Sequence, residues 1–187
     1  MTATRTSALI LIIIAAAASR LLPHPPNVTS ITAIALFGGA CFSNRWVAFA
    51  VPMLALALSN LVLGVYWSWS IMAWQPHLWV QYLSFALVVG LGFLLRGRAS
   101  AWKIASVTLA SSILFFIVTN LGEWAFQAWY PKTWEGLVAC FIAAVPFFRN
   151  SLLGDFGFVL LLFGGMHVLE RRFAMLRAPR AAQGAVA

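Results

Sequence analysis

Apolar runs recur along the chain every twenty to thirty residues or so, separated by short polar segments, and no stretch is left over for a separate soluble domain. Crossing the hydrocarbon core of a bilayer takes roughly 20 apolar residues, and about 17 suffice. On that criterion the sequence predicts spans over 6–22, 29–44, 46–65, 78–95, 104–120 and 152–169. The second is short and rich in small residues, and its Ala35-xxx-Gly39 spacing would let a neighbouring helix approach closely. A further run, Gly136 to Phe148, has only 13 residues, which suits an interfacial or re-entrant helix better than a crossing. The expectation is an all-α polytopic membrane protein of six transmembrane helices, with an additional short helix near 136–148. It forms a single membrane domain over 1–175, followed by a flexible cytoplasmic tail over 176–187.

Composition agrees with that pattern: 63% of residues are hydrophobic, 9% are charged, and the mean hydropathy is +0.92. The net charge of +8 acquires its meaning from the topology. With six spans and the N-terminus inside, nine basic residues (Arg5, Arg45, Arg96, Arg98, Lys103, Arg171, Arg172, Arg177 and Arg180) fall inside, against Arg20, Lys132 and Arg149 outside. Counting 136–148 as a seventh span would erase this positive-inside bias. Both termini are therefore expected in the cytoplasm, and the excess charge reads as orientation and anionic-lipid chemistry rather than a nucleic-acid footprint. Ten of the twelve basic residues are Arg, which hints at a bacterial, GC-rich source and hence an inner-membrane location. A rival for the first span is a cleavable signal peptide, since Arg5, an apolar core and the stretch AAAAS fit that description. Cys41 and Cys140 lack metal-ligand or CxxC spacing and read as packing residues.

The polar residues within the spans gather toward the expected outer side. They are Arg20 at the end of span one, Ser59 and Asn60 in span three, Thr119 and Asn120 in span five, and Arg149, Asn150 and Asp155 at the start of span six. Polar groups at membrane depth are costly unless paired or solvated, so their clustering predicts a cavity opening outward rather than a row of helix-end caps. Asp155 is buried in its apolar run and needs a partner, for which Arg149 or Arg20 is the expected candidate. The loop RLLPHPPNVTS is held extended by its prolines and can act as a stiff flap, with a simple turn that ends span one as the alternative; it offers His24 and Asn27 as polar groups. Seven of the nine tryptophans lie on the outer side, among them Trp67, Trp69, Trp74, Trp124, Trp129 and Trp134. Part of this is an interfacial belt, and the outward excess predicts walls or a lid for an aromatic-lined site. Candidate substrate-binding residues are thus His24, Asn27, Asn60, Trp67, Asn120, Glu123, Trp124, Arg149, Asn150 and Asp155.

Catalytic chemistry is thinly provided. No nucleotide-binding, zinc-protease or nucleophile-elbow motif occurs, three histidines and four acids offer little for a metal, and no cofactor is implied. A membrane enzyme using Glu123 or Asp155, and a scaffold with no ligand, stay as alternatives to a non-enzymatic binding role.

The segments RLLPHPPNVTSITAIALFGGA and FFRNSLLGDFGFVLLLFG resemble signatures of an uncharacterised bacterial family of candidate transport proteins. That family is similar to the substrate-binding S components of energy-coupling factor vitamin transporters. The resemblance implies six helices, a site for a vitamin-like small molecule near the outer face, and uptake with a transmembrane coupling protein and its ATPases. S components dock on that partner through Ala-x-x-x-Ala on the first helix. Here Ala15-xxx-Ser19 departs from that pattern, and solitary S components provide a second precedent.

Overall fold

The computed structural model describes residues 2–67, 78–97 and 99–177, and their regular structure is helical throughout. Six helices follow in order: α1 (Ala3–Ala18), α2 (Ile31–Cys41), α3 (Arg45–Trp67), α4 (Leu78–Gly92), α5 (Ala101–Phe126) and α6 (Trp134–Arg172). Short polar residues start them. Thr2, Ser100 and Thr133 each accept a hydrogen bond from the backbone N–H three residues on, and Asn44 Oδ1 accepts from Trp46 N at 2.8 Å.

Five of the helices, all except α2, belong to segments long and apolar enough to cross a membrane, and at most 39% of the most apolar window of each is buried within the protein. Leu11, Leu54, Leu58, Leu153 and Leu160 are among the many large apolar side chains left exposed. Exposed apolar surface on this scale needs lipid around it, and the chain is a multi-pass membrane protein.

Helix α2 differs from the other five. Its 11 residues rise about 16 Å, roughly half the hydrocarbon thickness, and everything from Ile31 to Gly39 is buried. It fills the middle of the bundle, in contact with α1, α3, α4, α5 and α6. Adjacent glycines admit two different neighbours. A Cβ on Gly38 would lie 2.4 Å from Pro52 of α3, and one on Gly39 would lie 2.2 Å from the Val89 carbonyl oxygen of α4. Gly92 returns the contact, since a Cβ there would meet the Leu36 carbonyl oxygen at 2.5 Å. The small residues of the second run thus serve the close approach their spacing predicts. Arg96 closes the far end of α2, donating from Nε to Gly39 O (3.0 Å) and from Nη2 to Phe42 O (2.8 Å), where a cation also suits the helix dipole.

The separate short helix expected near 136–148 is absent: Trp134–Arg172 is one helical run of 39 residues. Two features that suggest a break are absorbed within it. Pro146 lies inside the helix, and Leu160–Gly164 forms a single π-helical turn. At 1.5 Å per residue the run rises about 58 Å, well beyond a ~30 Å hydrocarbon core.

The start of α1 and the end of α6 meet at one end of the bundle. Buried Arg5 donates to Glu170 Oε1 and to Leu176 O, and Thr2 Oγ1 donates to Met175 O at 3.4 Å. Leu176 is buried, and Arg177 Nε donates to Glu170 O (3.1 Å). Arg180 and the rest of 178–187 lie outside the described residues, as does Arg98.

Candidate functional site

At the end of the bundle away from Arg5 and Glu170, helices α5 and α6 part. Cys140 Sγ donates to Asn120 O (3.6 Å), Phe116 stacks on both Phe141 and Phe148, and Ser112 Oγ donates to Asp155 Oδ2 (2.6 Å). From Asn120 to Ser112 is about two turns of α5, whereas Cys140 to Asp155 is about four turns of α6. The stretch of α6 between these contacts is thus nearly twice as long as the facing stretch of α5. Pro146 sits within it.

Between these two stretches lies a cavity of about 600 Å³. One stripe of α5 (Ser112, Phe115, Phe116, Thr119, Asn120, Glu123) and one of α6 (Ala144, Phe147, Phe148, Ser151, Asp155) face it. Both stripes follow the three-and-four spacing of a single helix face. The remaining wall comes from Arg20, Asn27, Thr29, Ile31, Thr32, Asn60, Leu78 and Gln81. Exposure falls from the mouth to the floor: Asn27 is exposed and Glu123 half-buried, while Ser112, Thr32 and Asp155 are buried.

Local chemistry explains how the first loop reaches this wall. Val28 N donates to Pro25 O (3.1 Å), closing a turn with Pro26 at its second position and Asn27 at its third with φ 63°. That is the type II arrangement, in which Pro fixes one φ and Asn tolerates the left-handed one. The loop then rests on α6. Asn150 Nδ2 donates to Pro26 O (3.0 Å), and a Cβ on Gly154 would come within 3.0 Å of Thr29 N.

Two ionisable groups buried by more than nine-tenths line the cavity. Asp155 is 3% exposed and is held by the hydroxyls of Ser112 and Thr32. Arg20, 8% exposed, donates to Ser59 Oγ, which in turn donates to Leu56 O (2.9 Å). Among the described residues neither has an ion-pair partner. The expected pairing of Asp155 with Arg149 or Arg20 is thus replaced by hydroxyls from α2 and α5, which reach it because α2 begins level with this turn of α6. Asn60 Oδ1 is buried beside the cavity and lacks a hydrogen-bond partner among the described residues.

Of the ten candidate residues, Asn27, Asn60, Asn120, Glu123 and Asp155 line the cavity. Asn150 instead supports the loop through Pro26, His24 is exposed with Nδ1 3.0 Å from Pro25 O, and Arg149 is exposed outside the lining. Trp124 is a fastener: its Nε1 donates to Pro131 O (3.0 Å), and Lys132 donates to Trp124 O and lies 5.8 Å over the indole ring. Trp67 ends α3 and its side chain lies outside what is described, as do Trp69, Trp74 and His77. Trp79, Trp129 and Trp134 are exposed. Trp129 and Tyr130 border a shallower depression that shares Asn120, Glu123, Ala144 and Phe147 with the main cavity. Among the described residues, the aromatic wall of that cavity is phenylalanine: Phe115, Phe116, Phe147 and Phe148. Thr29, Thr32, Gln81, Ser112 and Ser151 were not among the candidates. Ser112 was legible, because Ser112, Thr119 and Glu123 fall on one face of the helix at spacings of seven and four.

The chain matches a family of unknown function, DUF6580, over residues 1–180, and belongs to it. No curated protein and no solved structure matches it.

Proposed function

We propose that this family member is a membrane-embedded binding protein that captures a vitamin-like small molecule for uptake, in the manner of an S component. The observation that carries the reading is the cavity between α5 and α6: its ~600 Å³ falls within the range of small-molecule sites, and polar groups converge on it from five helices and the first loop. A scaffold would be expected to pack such a polar cluster solid, and here it surrounds open space. In the bacterial inner membrane, the positive-inside rule would orient the chain with both termini in the cytoplasm and the mouth facing outward. Helix α2 then counts as a sixth, shortened span whose N-terminus stops at the cavity floor. Energy for uptake would come from a transmembrane coupling protein with its ATPases, docked on lipid-facing α1, or the chain would act alone.

Purified full-length protein, denatured and extracted, is expected to release a small molecule detectable by mass spectrometry. Ala144→Trp, which fills the cavity without removing a polar contact, is expected to abolish it. Wild-type protein that releases nothing and shows no thermal shift across a panel of vitamins and precursors would sink the reading.

A further inference from the structure

The charge arrangement in the cavity specifies more than its size does. Arg20 and Asp155 are opposite charges, both more than nine-tenths buried and both lining one open volume, yet no ion pair joins them. Among the described residues each is held by hydroxyls, Ser59 for the guanidinium, with the Tyr82 phenol nearby, and Ser112 with Thr32 for the carboxylate. Hydroxyls orient a charge without neutralising it. Buried charges that are oriented but unpaired are expensive, and a matching ligand charge would remove that expense.

We infer that the cavity takes a zwitterion, with an ammonium group against Asp155 on α6, a carboxylate or phosphate against Arg20 at the end of α1, and an apolar body along Phe115, Phe116 and Phe147. This rests on the binding reading above and narrows it to a substrate class. A ligand carrying one charge would neutralise one side and strand the other once water is displaced. A neutral ligand would strand both. The anion suits Arg20 because a guanidinium can offer parallel N–H donors to two oxygens. Glu123 stands half-buried at the mouth, where water still reaches it, so it does not set the charge required at the floor.

The test is titration of the detergent-solubilised full chain with matched probes. Tryptophan and phenylalanyl-phenylalanine are each compared with their N-acetyl and C-amide forms, and glycerophosphoethanolamine separates phosphate from carboxylate recognition. Zwitterions are expected to bind, with at least tenfold loss on capping either end. In Asp155→Asn, which keeps a polar group of the same shape, the N-acetyl penalty should vanish while the amide penalty persists. Arg20→Gln should show the reverse, and exposed Arg149→Gln should leave both penalties unchanged. Capped and uncapped probes binding equally would overturn the zwitterion and leave a binding site standing. Binding by none of the probes, together with no molecule released from the purified protein, would overturn both.

Discussion

Asp155 illustrates how a single residue's environment departs from what its neighbours in sequence suggest. Arg149 lies two turns away on the same helix, yet the groups that hold the carboxylate come from α2 and α5. A hydrogen bond to a charged group contributes about 1.5–3 kcal/mol, and a deleted partner leaves the buried group short of a donor. Ser112→Ala should therefore destabilise the protein by roughly 1–3 kcal/mol, read as a lower midpoint of thermal unfolding in detergent. Ser151→Ala, at a half-exposed position bonded to its own helix at Phe147 O, should cost far less. Presence of a buried acid was legible from its place within an apolar run. Identity of its partners was not, because they depend on which turns of three helices share a level.

Among the elements, α2 and α4 form the contact that tolerates least change. Gly39 and Gly92 meet Cα to Cα within the reach of a methyl group, with carbonyl oxygens of Val89 and Leu36 on either side. Backbone atoms on both sides cannot move aside as a flexible side chain would, so Gly39→Leu or Gly92→Leu should prevent assembly of the folded monomer, seen as loss of the monodisperse peak in size-exclusion chromatography. Gly90 is the contrast: a Cβ there meets nothing within 4 Å, so Gly90→Ala should be neutral or should stabilise by up to about 1 kcal/mol through helix propensity. Small-residue spacing made the α2 contact foreseeable. Continuity of α6 was harder to foresee, since Pro146 and the length of the 136–148 run both suggest a break, yet the helix carries Pro146 inside it and continues through one π-helical turn.

For the whole molecule, hydropathy made the helical membrane character plain, while the cavity depends on which faces of several helices meet, which no linear pattern encodes. Contacts of Arg5 with Glu170 and Leu176 place the start of α1 beside the end of α6, opposite the first loop and the α5–α6 turn. Single cysteines at Ser100 and Ala174, in a background with Cys41 and Cys140 replaced, should react with a membrane-impermeant thiol reagent from one side of the membrane. Cysteines at Asn27 and Lys132 should react only from the other. Labelling of all four from one side would contradict the bundle.

The central position of α2 also bears on how the chain enters the bilayer. Apart from α1, the helices that cover it follow it in the sequence, and α4, which meets it at Gly39, leaves the ribosome only after the whole of α3. At ordinary synthesis rates of about 5–20 residues per second, α2 would wait on the order of seconds without that cover. A helix too short to cross alone cannot be left in lipid with its ends unmet. Insertion should therefore proceed with α1, α2 and α3 held together at the translocation machinery until α4 arrives, which makes the middle of the finished protein the last part of its first half to become secure.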